Sequence, residues 1–269
     1  MSRIFGLSLV LFGGGALFAQ EPAEASPVPA STADSSAAPS GVEDREVSLK
    51  TIGPNILHDQ VRIWTFPARV VTGHHVLPTV AVLGVTGGLI AADPTTGKFF
   101  RRHEDTFAGL SDHLTESVST TGSLLTPAAF YLTGLIRKDR YMQSTGLLAA
   151  EAWVGAEIPN VALRAAFRRS RPLDFAPDGT FRDTWFKTHG SPFAAKGGFP
   201  SGHTATAFAV ATVVARRYSR HRWVPWVAYG LASTVAFSRA TSGNHFLSDI
   251  FFGGAIGYSV GRFVLHEER

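Results

Sequence analysis

Two stretches of this chain carry no charged residue over the length of a long helix: Ser117 to Ile136 runs 20 residues and Gly197 to Ala215 runs 19. Such segments cannot face water all round, so the fold must bury them in an interior or hold them against lipid. Strand-like alternation is scarce, and the small and aliphatic residues that fill the apolar blocks suit close helix packing. The expected fold is therefore all-α, with six core helices near Val76 to Ala92, Ser117 to Ile136, Tyr141 to Arg169, Ser201 to Tyr218, Trp223 to Phe237 and Ser248 to Leu265. The two uncharged stretches are candidate membrane spans. Val76 to Ala92, with 17 residues, and Ile250 to Gly261, with 12, are short for a bilayer. The third block contains Glu151 and Glu157. Buried helices of a soluble bundle would give the same pattern.

The N-terminus has a different character. Arg3, an apolar run from Ile4 to Phe18 and small residues at Ala16 and Ala19 fit a secretory signal or N-terminal anchor over residues 1–19. Residues 20–46 are rich in Pro, Ala and Ser with scattered acids; such a segment has too little apolar surface to offset the entropy of ordering, and a disordered linker is expected. The helical domain then occupies 47–269. With no cysteine, disulfides, thiolate zinc sites and a cysteine nucleophile are excluded. The formal charge of +4 suits an anionic substrate, an anionic membrane surface or simple solubility, and does not choose among them.

Charge distribution bears on sidedness. Arg137, Lys138 and Arg140 lie between the second and third blocks, and Arg216, Arg217, Arg220 and Arg222 between the fourth and fifth. In a six-span arrangement both clusters fall on the cytoplasmic side and the polar motifs described next fall outside. A cleaved signal followed by six spans would turn the motifs inward. The readings are reconciled if the N-terminal run is not cleaved and does not span normally, if one block does not span, or if the bundle is a soluble periplasmic domain. All three permit an extracytoplasmic site, and membrane association is the expectation.

Three groups of polar residues interrupt the apolar blocks. His245 and Asp249 are four apart, so on a helix starting near His245 the carboxylate can reach a ring nitrogen, fix the tautomer and leave the other nitrogen free to attack. An ordinary capping or packing hydrogen bond has the same spacing. Pro200-Ser201-Gly202-His203 opens an apolar helix whose exposed amides suit an anion, with Gly202 permitting close backbone approach and His203 placed to give a proton to a leaving group. Read alone, it is a capped helix start. Arg164 and Arg171, seven apart with Arg168 between, would share a helix face and with Arg239 clamp a phosphoryl group; a solvated basic helix end is the alternative, and it is the reading for Arg168 and Arg169. Ten specified residues in three fixed spacings arise by chance below about once per million chains, which makes the combination specific.

Together the motifs resemble the signature of the type 2 phosphatidic acid phosphatase and vanadium haloperoxidase superfamily: a basic residue, six residues and Arg-Pro; then Pro-Ser-Gly-His; then Ser-Arg, five residues, His, three residues and Asp. The resemblance covers about Tyr141 to Leu265. Arg164 stands where the family normally has lysine, so a planar fork replaces a point charge. The resemblance implies His245 as a nucleophile forming a phosphohistidine, Asp249 as its orienting partner and His203 as general acid. It implies Arg164, Arg171, Ser201, Gly202 and Arg239 as phosphate ligands.

The activity so implied is a metal-independent phosphatase, without cofactor, acting outside the cytoplasm on a phosphomonoester or diphosphate. The expected substrate is a phosphorylated lipid of the isoprenyl diphosphate or phosphatidate class, or else a phosphorylated small molecule; a membrane is an expected partner and nucleic acid is not. Alternatives are a vanadate-dependent haloperoxidase, a soluble periplasmic non-specific acid phosphatase and a scaffold that has lost turnover. His103, Glu104, Asp105, Asp112 and His113 are close in sequence but match no metal spacing, and read as a polar loop.

Overall fold

The computed structural model of the protein describes residues 47–113, 116–188 and 197–265. Among the described residues there are eight α-helices, one 3-10 turn and no strand: α1 (Ile52–Val71), α2 (Val76–Arg102), α3 (Glu104–His113), α4 (Glu116–Arg137), α5 (Arg140–Phe167), the 3-10 turn Pro172–Asp174, α6 (Gly202–Arg217), α7 (Trp223–Thr241) and α8 (Leu247–Val264). The expected signal or anchor over 1–19 and the linker over 20–46 lie outside the described residues. The all-α expectation holds, and the six anticipated helices are α2 and α4 to α8. Two more exist. In α1 the helical period is present, but the polar residues His58, Asp59 and Arg62 and an internal Pro67 interrupt the apolar run by which the other helices were recognised. The expected polar loop after His103 is the helix α3, whose first turn carries Glu104 and Asp105 where they complement the helix dipole. Helix α2 runs ten residues past its expected end, through Pro94, which sequence pattern reads as a stop.

Helix α6 is the axis of the bundle. Twelve of its 16 residues are buried, so its uncharged stretch up to Ala215 is enclosed by neighbouring helices. The uncharged stretch from Gly197 to Ala215 is not helical throughout: residues 197–201 are irregular, and the helix begins at Gly202. The core is built from Leu148, Ala149, Ala152 and Ala156 of α5, Ala205, Ala209, Val210 and Val213 of α6, and Val260 and Val264 of α8. Small residues let α8 lie directly on α6. A Cβ at Gly253 would come within 2.5 Å of the Ser201 carbonyl oxygen, one at Gly261 within 2.6 Å of that of Ala209, and one at Gly257 would overlap the Ala205 carbonyl. Three glycines at four-residue spacing thus form the contact face of α8.

The outer helices turn apolar side chains outward. Val61 and Trp64 of α1, Leu77 and Leu83 of α2, Leu125 and Leu132 of α4, and Trp226 and Leu231 of α7 are all exposed. Among the described residues α2 is the helix long and apolar enough to cross a membrane, and only 11% of its apolar window is buried inside the bundle.

Candidate active site

The site forms where the C-terminal end of α5, the N-terminus of α6 and the loop before α8 meet. Helix α5 stops at Phe167 because Arg168 takes the left-handed conformation (φ 44°), and its amide bonds back to the Arg164 carbonyl. The chain then runs extended through Arg171 (φ −89°, ψ 157°) into the 3-10 turn. Arg164 and Arg171 are therefore not on one helix face, as their spacing suggested. The reversal at Arg168, not helical periodicity, brings Arg171 round to the site.

Ser201 caps α6 and is fully buried; its amide donates to the Asp249 carbonyl oxygen (3.0 Å) and its hydroxyl pairs with that of Thr204 (3.0 Å). These bonds lock the Pro-Ser-Gly-His turn onto the first turn of α8. Gly202 faces the end of α5, where an added Cβ would lie 3.1 Å from Glu157 Oε2, 3.2 Å from Arg164 Nη2 and 3.3 Å from Asn160 Oδ1. Arg164 pairs with Glu157 at 2.5 Å, so this arginine enters the site with part of its charge already balanced. Asn160 is fully buried and neither atom of its amide has a hydrogen-bond partner among the described residues.

His245 is 4% exposed. Its Nδ1 lies 2.7 Å from the Gly198 carbonyl oxygen, which can only accept, so the proton sits on Nδ1 and Nε2 carries the lone pair. The Asp249 carboxylate stands 3.8 Å from the same nitrogen, beyond hydrogen-bond length. This corrects the expected direct bond. The α8 helix begins at Leu247 rather than at His245, and Asp249 Oδ2 caps it by accepting from the Phe246 amide at 2.8 Å. Asp249 therefore biases the imidazole through its charge, while a backbone carbonyl fixes the tautomer.

Burial pushes the His245 pKa down, against the opposing pull of Asp249. His203 is lowered to about 3, first by burial and then by Arg239, His245, Arg164 and Arg171. The same list of perturbing charges marks these five side chains as one electrostatic cluster. Arg239 is buried, with Nε and Nη2 at 3.2 and 3.1 Å from the Ser238 hydroxyl, and its carbonyl accepts the His245 amide at 3.1 Å. Arg171 Nε is buried without a partner among the described residues. All eight residues singled out from the sequence thus gather at one end of the bundle.

Arg169 is the buried residue beside the site whose place sequence reasoning missed. Read as part of a solvated helix end, it is 2% exposed. Its guanidinium donates to Asp249 Oδ1 (2.6 Å), Asp93 Oδ2 (2.7 Å), the Ser248 hydroxyl (2.7 Å) and the Thr184 hydroxyl (3.0 Å). Its guanidinium also lies over the rings of Trp185 and Phe246, each ring centroid 4.4 Å away. Ser248 bonds in turn to Asp93. Asp93, Arg169 and Asp249 form a buried charged chain that ties α2 to the first turn of α8. An arginine two residues before Arg171 was the available signal; Asp93 had none. Arg168 does stay at the helix end, its Nε donating to the Ala165 carbonyl at 3.2 Å.

Residues 143–267 match the profile of the PAP2 superfamily. The chain is 45% identical over 64 residues, 23% of its length, to a lipid A 1-phosphatase of Porphyromonas gingivalis, and 34% identical over 100 residues, 37% of its length, to a lipid A 4'-phosphatase of the same organism. It spans 14% and 39% of the lengths of these relatives. The crystal structure of a transmembrane PAP2-type phosphatidylglycerolphosphate phosphatase from Bacillus subtilis superposes with a TM-score of 0.46 at 22% identity, covering 77% of this chain and 94% of that one. With the three motifs gathered at one site inside it, the matched region, residues 143–267, is a PAP2 superfamily region.

Proposed function

We propose that this protein is a phosphatase that hydrolyses a phosphorylated lipid through a phosphohistidine intermediate on His245. The observation that carries the reading is the meeting of a buried imidazole, whose Nε2 lone pair is left free by the Gly198 bond, with His203 and the guanidinium groups of Arg164, Arg171 and Arg239. Nε2 attacks phosphorus, the bond to the leaving oxygen breaks, and His203 supplies the proton that oxygen takes. Water then attacks the phosphohistidine, giving its proton to His203 and releasing phosphate and free His245. The arginines offset charge on the transferring phosphoryl oxygens through both steps. Free of ligand, His203 is neutral at physiological pH, first because of its burial and then because of its cationic neighbours. A phosphate dianion cancels those charges and allows the imidazole to hold the proton it must donate.

The lipid substrate is supported by the outward apolar side chains of α1, α2, α4 and α7, and by relatives named for dephosphorylating lipid A. An extracytoplasmic site is supported by the layout of α5 and α6. The basic segments that precede α5 and follow α6 lie together, Tyr141 donating to the Arg217 carbonyl at 2.5 Å, at the end opposite His203 and Arg164. Arg217 itself is buried against Thr145 and Ser144, which leaves Arg137, Lys138, Arg140, Arg216, Arg220 and Arg222 as the charges relevant to the positive-inside rule. The test is His245→Ala: phosphate release from lipid phosphates should vanish, and an acid-labile phosphoryl label trapped on wild-type protein by rapid quenching should be absent. Full activity in the variant would refute the mechanism.

A further inference from the structure

Beside the phosphate site lies a second cationic concavity that the proposed reaction does not use. Lys98 and Arg102, one helical turn apart on α2, face Arg182 of the loop after the 3-10 turn across a cleft of about 500 Å³, with His103 and Gly179 also lining it. None of its lining residues is a carboxylate. Two of the nearby acids are engaged elsewhere, Asp183 with Lys187 at 2.6 Å and Glu104 with Arg101. Three like charges around one concavity repel one another unless an anion enters. The backbone also holds Arg182 at a cost: Phe181 and Asp183, on either side of it, both have left-handed conformations (φ 52° and 54°). Phe181 is fixed there by burial among Gly97, Phe175 and Phe246.

Helix α2, which carries one wall of the cleft, is also packed against the start of α8 beside the phosphate site. On α2, Asp93 bonds Ser248 and Arg169, and Gly97 packs on Phe246, the residue after His245. At 1.5 Å per residue, Lys98 and Arg102 stand about 8 and 14 Å along the helix from Asp93. We propose that this cleft binds a second anionic group of the substrate, a phosphate or carboxylate on the order of 10 Å from the scissile phosphoryl group, and so selects doubly anionic amphiphiles over singly charged ones. This rests on the phosphatase reading for its substrate, while the anion site itself stands on the cleft.

The test neutralises the cleft with K98Q/R102Q/R182Q in the full chain. Phosphate release is measured from decane-1,10-diyl bisphosphate and from decyl monophosphate. Expected is a loss of tenfold or more in kcat/KM for the bisphosphate, carried by KM, with the monophosphate within twofold of wild type. Equal loss on both substrates, or loss on neither, overturns the proposal. If wild-type protein releases phosphate from neither compound, the phosphatase reading fails. The cleft is then judged by calorimetric binding of decane-1,10-diyl bisphosphonate against decylphosphonate: a preference of tenfold or more, abolished in the triple variant, supports it, and equal affinities overturn it. In a third arm the decyl monophosphate is presented in vesicles of phosphatidylcholine with or without phosphatidylglycerol. A defect seen only with phosphatidylglycerol vesicles makes the cleft a membrane contact and overturns the assignment to substrate.

Discussion

Replacing Arg169 by Gln should unsettle both the fold and the site. Arg169 neutralises two carboxylates, Asp93 and Asp249, that are at most 1% exposed, through contacts of 2.7 and 2.6 Å. Removing the cation strands both charges in a place water does not reach. Breaking one buried pair in this way typically costs 3–5 kcal/mol. Here a single substitution orphans two, though a proton taken up by one carboxylate limits the total, so a loss of about 3–5 kcal/mol is expected. For a domain of this size that corresponds to a fall in Tm of roughly 10 °C. The deficit should shrink as pH falls, because protonating a stranded carboxylate removes the uncompensated charge. Asp93→Asn alone leaves the Asp249 pair intact and should cost less, about 1–3 kcal/mol. In R169Q, adding Asp93→Asn should recover part of the loss, giving a coupling energy of about 1–3 kcal/mol. The assay is denaturant unfolding followed by tryptophan fluorescence for wild type, both single variants and the double. An R169Q protein within about 1 kcal/mol of wild type, or a cycle without coupling, would refute the idea that this chain of charges holds α2 to α8.

The protonation of His203 gives a second expectation. Its pKa is lowered from 6.5 to about 3 and that of His245 is also lowered, so the unfolded chain binds more protons than the folded one as pH falls below about 6.5. Stability of the ligand-free protein should therefore decline on acidification toward pH 3, beyond what the carboxylates contribute. Near neutral pH the binding of inorganic phosphate should take up a proton, read from calorimetric enthalpies in buffers of different ionisation heat; binding without proton uptake would contradict the general-acid role. Gly257→Ala, which sets a methyl group into the Ala205 carbonyl, should force α8 off α6 and cost about 1–3 kcal/mol or more, measured by thermal unfolding. Gly230→Ala, at an open position of α7, should cost nothing and tends to stabilise.

Much of the site was legible in the sequence because its residues are fixed by short local spacings. Pro200 to His203 form one helix start, and Ser238 to Asp249 span one helix end, a loop and one helix start. Local rules fail where the chain reverses. Arg164 and Arg171 looked like neighbours on one helix, yet they meet because Arg168 ends α5 and turns the backbone, which no side-chain spacing reports. The partner of His245 was taken to be Asp249 because sequence displays side chains and hides carbonyls; Gly198, 47 residues away, accepts the bond instead.

By itself the sequence determined the helical class, the six core helices and the eight residues that gather at the site, since apolar helical periods and fixed motif spacings are properties of contiguous residues. Only tertiary structure decided which apolar helices face protein and which face outward, because α6 and α2 look alike in composition and differ in what surrounds them. It also decided that Arg169 is a buried tie rather than a surface charge: its carboxylate partners lie 76 and 80 residues away, and a charge reads as solvated until the fold supplies its counter-ions.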